Sequence, residues 1–163
     1  MLRRVLALAS ATVLVFAVTA SPAMAARPTR DFLPLFDFIV IPAGDACAFP
    51  VRLDILENRE YGVTFSDASG NVVRQLISGA LIIGLTNVDN DRSITVDISG
   101  PAQIIVHADG SATYVLRGNS LPVVPGMLYR TTGTVVQEYD ADNNLVSTSR
   151  ATGTETDLCP ALA

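Results

Sequence analysis

The chain has 163 residues with 11 arginines, no lysine and 16 acids, a formal net charge of −5. That length suits one domain around one core. An acidic surface repels phosphate backbones and anionic lipid headgroups, so the balance of charge argues against a nucleic-acid partner.

The first stretch reads as a targeting segment rather than part of a fold. Arg3 and Arg4 form a short basic region, Val5 to Ala20 is uncharged and mostly apolar, and Ser21-Pro22 leads into the small-x-small pattern Ala23-Met24-Ala25. A membrane span wants about 20 apolar residues, and this run is shorter. Residues 1–25 are therefore expected to be a signal peptide, with a secreted, extracellular product beginning at Ala26. The Ser or Thr before the arginine pair and the later Lys of a twin-arginine signal are both missing, which favours the general secretion route. No cysteine follows the cleavage point to carry a lipid, and Asp157 to Ala163 has no apolar tail. A stable membrane anchor after cleavage is not expected. Cleavage removes two arginines and no acid, which leaves 138 residues with a net charge of −7.

Residues 26–46 form an N-terminal segment. Ala26 to Arg30 reads as a loose tail, Phe32 to Ile41 is strongly apolar, and residues 36–41 are expected to be a strand or a docking segment. Pro42-Ala43-Gly44-Asp45 is a turn that delivers Cys47. From there to residue 163 the period is two. Val51, Leu53 and Ile55 alternate with Arg52 and Asp54, and Tyr61, Val63 and Phe65 repeat the pattern. Asp67 to Gly70 is a turn, and Leu81 to Leu85 is apolar on both faces, as a central strand would be. Asn87 to Arg92 turns into Ser93 to Ile98, and Ser99-Gly100-Pro101 breaks again. Asp109-Gly110 is a hairpin signal between Ile104-Val106 and Tyr114-Leu116. Gly118 to Gly126 is the longest irregular connection. Met127 to Tyr139, expected to bulge at Gly133, turns at Asp140 to Asn144 into Leu145 to Thr156.

The two cysteines of an exported chain are most simply one disulfide, Cys47 to Cys159, closing residues 47–163 into a single β domain. A zinc site is the rival, but two Cys and one His cannot fill a tetrahedral shell without carboxylates. No sustained 3.6-residue period occurs. The expected fold is all-β, a single-domain antiparallel meander of about eight or nine strands, with sandwich and up-and-down barrel both open.

Ile41-Pro42-Ala43-Gly44-Asp45-Ala46-Cys47-Ala48-Phe49-Pro50-Val51 resembles the opening of a group of small secreted actinobacterial proteins. So do Phe65 to Arg74, the Gly84-Leu85-Thr86-Asn87 turn and the closing Leu158-Cys159-Pro160-Ala161-Leu162. The resemblance covers most of the mature chain and rests on turn and disulfide signatures. That group has no assigned activity, so the resemblance implies a secreted β protein and carries no catalytic residue across.

Chemistry is sparse. His107, the only histidine, lies two residues before Asp109 and near Ser111, but no glycine-flanked serine elbow or oxyanion site accompanies it. Asp140 to Asn144 and Asn87 to Asp91 space oxygens as calcium loops do. The first has Leu145 and Ala151, and the second Arg92 and Ile98, where the Gly and Glu of such a loop belong, so tight turns account for both. The neighbouring acids Glu57 and Glu60, or Asp89 and Asp91, make no glycosidase pair. No catalytic residue, metal site or cofactor is assigned. One feature points to a ligand: Ser147, Ser149, Ala151 and Gly153 fall on one face and are all small. Turned inward, they would open a pocket that Tyr114, Tyr129 and Tyr139 could rim; turned outward, they are simply polar surface. The leading expectation is a secreted, non-catalytic β domain that binds or packs at the cell exterior, with unknown partners. A small β-barrel carrying an apolar ligand is the alternative, and a hydrolase comes third.

Overall fold

The computed structural model describes residues 27–122 and 124–163, and the expected signal segment 1–25 lies outside them. Within these residues the order is β1 (Thr29–Phe32), β2 (Phe38–Ile41), β3 (Val51–Asn58), β4 (Tyr61–Ser66), β5 (Val72–Ser78), β6 (Leu81–Asn87), β7 (Ser93–Asp97), β8 (Ala102–Val106), β9 (Ala112–Ser120), β10 (Tyr129–Tyr139), β11 (Leu145–Asp157) and α1 (Cys159–Leu162). The fold is all-β. A seven-stranded sheet runs β1-β4-β5-β8-β9-β10-β11 and a four-stranded sheet runs β2-β3-β6-β7, with every pairing antiparallel.

The two sheets share one plan. β3 leads into β4 through Arg59 and Glu60 alone, β5 into β6 through Gly79 and Ala80, and β7 into β8 across residues 98–101. Each couple is one bent leg, as are β1 and β2, and each leg pairs only with its neighbours in sequence. The result is the expected meander, with eleven described strands in place of eight or nine. The sheets end on β1 and β11, and on β2 and β7, so the described residues form two open sheets and no closed barrel. Thr29 and Arg30, expected to lie in a loose tail, pair with Thr64 and Val63.

The bend continues across the last three strands, where glycines take over from breaks. Gly118, Gly133 and Gly153 stand in register on β9, β10 and β11. Gly133 and Gly153 have φ of +138° and +96°, a region that L side chains rarely adopt. A Cβ on Gly153 would overlap the Thr132 carbonyl oxygen, and one on Gly133 the Thr152 oxygen. This crease lets the strand ends fold toward the smaller sheet. The expected bulge falls next to it: the register shifts between Thr134 and Val135 and leaves Ala151 unpaired on β11.

The core lies on the inner face of the smaller sheet. Val51 and Leu53 of β3, Leu81, Ile83 and Leu85 of β6, and Val96 of β7 alternate inward. Leu128, Leu158 and Leu162 close over them, joined by the disulfide Cys47–Cys159, whose Cα atoms are 5.7 Å apart. Residues 162 and 163 are held by side chains: Asn87 Nδ2 donates to the Leu162 carbonyl at 3.0 Å, and Arg92 donates to the Ala163 carbonyl.

Candidate ligand-binding cleft

Only part of that inner face is covered. Toward β2 the same alternation continues through Ile39 and Ile41, which stand opposite Leu53 and Val51 in the register. Here Ile39, Ile55, Leu81 and Ile98 floor a cleft of about 720 Å³, with Leu35 and Phe36 on one side. Its roof is the connection between β9 and β10, where Leu121, Pro122, Val124, Pro125 and Met127 face the cleft. Two prolines and three large apolar residues in one loop make poor solvent-facing sequence. Burial against the cleft is their reason.

The roof is tied down at one end. Gly126 N–H donates to the Asp45 carbonyl at 2.6 Å, and Asp45 N–H donates to the Pro42 carbonyl at 3.2 Å, so the turn before Cys47 anchors the loop. Leu158 N–H donates to the Leu128 carbonyl at 2.9 Å on the far side. The disulfide therefore sits between the two attachments. Among the described residues Asp45 is the one charged residue on the cleft lining. Phe36, 46% exposed, and Met127, 58% exposed, stand at its mouth.

The structure does not gather the expected pocket residues around this cleft. Ser147, Ser149, Ala151 and Gly153 are all exposed on the edge strand β11. Their shared face is broken because Ala151 is the unpaired residue of a bulge. Tyr114 and Tyr139 pack together, ring centroids 4.6 Å apart, at the end of the large sheet. Burial pushes the Tyr139 phenol up from its ordinary value, with Tyr114 adding to it. Tyr129 lies ten residues from Tyr139 along β10, about 33 Å of strand. It is the one expected pocket residue beside the cleft, where it lines an adjoining hollow.

The other candidates are spent on structure. His107 Nε2 meets Thr113 Oγ1 at 2.9 Å, and Thr113 donates onward to Glu138 Oε2 at 2.7 Å. Ser111 Oγ instead donates to Asp109 Oδ1 at 2.7 Å, so histidine, serine and aspartate do not line up as a catalytic chain. Asp140 Oδ1 accepts the backbone N–H groups of Asp142 and Asn144, and Asn87 Oδ1 accepts that of Asp89, which is turn chemistry. Among the described residues no group of three or more His, Cys, Asp or Glu side chains could hold a metal ion, and no helix is long and apolar enough to cross a membrane.

What sequence reasoning missed is the apolar cleft itself. The available signal was the double oddity of a Pro-rich loop that is also apolar, Leu121 to Pro125, and an apolar N-terminal segment beside it in space. No family model matches this chain, and no curated protein or solved structure matches it.

Proposed function

We propose that the protein is a secreted, non-catalytic binding domain that takes up an apolar ligand in the cleft between the β2-β3-β6 face and the 121–128 loop. One observation carries the reading: about 720 Å³ of open space lined almost wholly by aliphatic side chains. Ligand sites fall in the range of about 300–1,000 Å³ and are mostly apolar, and water gains little from such walls. The export signal expected at residues 1–25 and the disulfide agree in pointing outside the cell, because disulfides persist in oxidising compartments. A hydrolytic role has no support at the cleft, where a general acid or base would have to be Asp45 alone.

The test is uptake of a neutral hydrophobic dye, followed by fluorescence. Wild-type protein should bind the dye, and Ile39→Glu, which puts a charge on the cleft floor, should reduce binding at least tenfold. Ser149→Phe, on the exposed edge strand, should leave it unchanged. Absence of dye binding by the folded wild-type protein, or undiminished binding by Ile39→Glu, would overturn the proposal.

A further inference from the structure

Two open sheets leave free edges, and the edges differ. β1 carries Arg30 and Asp31, β7 ends on Asp97, and β11 is bulged and carries Arg150, Glu155 and Asp157. Charges and bulges of this kind keep an edge from pairing with another chain. β2 is Phe38-Ile39-Val40-Ile41, apolar throughout and in unbroken register with β3. Ile55 N–H donates to the Asp37 carbonyl at 3.0 Å. Bonded and non-bonded pairs alternate in an antiparallel ladder, so Ile39 and Ile41 also bond to β3. Phe38 and Val40 therefore turn both N–H and C=O outward, and no described residue meets those groups. Their side chains, on the face away from the cleft, are 52% and 51% exposed. Arg52, paired with Asp54, lies 4.4 Å from the Phe38 ring centre and holds the ring in place. Phe32, Leu35, Phe36 and Ile39 extend the same exposed apolar stretch. Such a stretch beside unpaired backbone marks an interaction surface.

We infer that a second copy of this chain docks on β2, edge to edge and antiparallel, about a two-fold axis at Ile39. That register sets Phe38 of each copy opposite Val40 of the other, so every outward N–H meets an outward C=O and none is left over. Ile39 meets its own copy as the non-bonded pair between them. An unrelated extended peptide would satisfy the backbone alone. The chain's own strand also matches side chains on both faces, Phe38 against Val40 outside and Ile39 against Ile39 within. β2 holds no charge, so the contact sets no like charges together although the chain as a whole is acidic. Pro42 follows the strand and holds the pairing to these residues. The contact is isologous and consumes both edges, which closes the assembly at a dimer and lets no fibre grow.

The experiment is sedimentation of the mature protein over a range of concentrations. The wild type should pass from the mass of one chain to twice that mass as concentration rises. Val40→Pro removes an outward N–H and no bond to β3, so it should fold and stay a single chain. Val40→Glu, placed opposite Arg52 in its own chain, serves if the proline variant does not fold, because it sets two carboxylates near each other across the axis. Ile39→Cys checks the register. Non-bonded partners lie about 4.5 Å apart at Cα, within the range of about 4.4–6.8 Å that a disulfide accepts. Mild oxidation should therefore link two copies through that cysteine, whereas Val146→Cys, exposed on the edge strand β11, should not link them. Single-chain mass at every wild-type concentration overturns the proposal and leaves the edge to a different chain. A dimer that survives both edge variants, or failure of Ile39→Cys to cross-link, overturns it as well. Dye uptake reads the cleft separately, so either proposal can fall alone.

Discussion

Glu60 stands at the corner where β3 bends into β4, 9% exposed, with its backbone engaged by Asn58 and Leu33. Burial raises its carboxyl above the ordinary carboxylate range. A carboxyl raised in the folded state favours the fold while protonated, and that support is lost as the pH rises past the ordinary range. Glu60→Gln should therefore raise the melting temperature at pH 7 and change it little at pH 3, as thermal melts at the two values would show. The turn aspartates work in the opposite sense. Asp67 and Asp140 are held below the usual range, first by the side chains of Asn71 and Asn144 and then by their backbone N–H groups. Their contribution is present at neutral pH and disappears as the pH falls through the depressed value, so Asp140→Ala should lower the melting temperature at pH 7 and lose that effect in acid. These turns were legible from sequence because Asp and Asn act on their own backbone within four residues. Glu60 was not, because what buries it is a bend between sheets.

At the scale of the element, alternation located what it could. Val51 and Leu53 point inward as their alternation requires, and β6, apolar on both faces, is central in its sheet. The last hairpin also pairs as its composition indicates, from Tyr129↔Asp157 to Tyr139↔Leu145. The break at Ser99-Gly100-Pro101 was legible, but not that each break carries a leg from one sheet to the other, because strand composition is kept on both sides of it. The small-residue face of β11 misled for a related reason. A period of two holds only until a bulge, and the unpaired Ala151 shifts everything beyond it. The crease makes a sharp prediction. Gly153→Ala sets a methyl group against the Thr132 carbonyl oxygen, whereas Gly70, with φ of +88°, has open space around the same position. Gly70→Ala should cost about 1 kcal/mol for backbone strain alone, and Gly153→Ala about 2–4 kcal/mol or failure to fold. Urea unfolding of the two variants compares them directly.

For the whole molecule, the tie between Cys47 and Cys159 spans 112 residues and lies in the core. Replacing both with Ser should lower stability by about 2–5 kcal/mol, measured by urea unfolding of the variant against the oxidised wild type. The roof loop hangs from Asp45 and from Leu128, on either side of that tie, so the same variant should also bind the dye more weakly. The cysteine pairing was readable because two cysteines leave one possible pairing. The cleft was not readable as a whole, because its walls come from residues as far apart as Leu35, Leu53, Leu81, Ile98 and Leu128, which only the meander brings together.

That meander also sets an order of events. Each leg pairs only with the leg before and the leg after it, so the sheets can zip in chain order as successive legs become available. No early strand waits for a distant partner. The inner face of β3 and β6 does wait, since Leu158 and Leu162, which cover it, follow every described strand in chain order. Until they arrive, Val51, Ile83 and Leu85 lie open to whatever oily surface is near. A chain ending at Asp157 would thus own nearly all of its hydrogen-bonded sheet and still behave as a sticky, protease-sensitive intermediate.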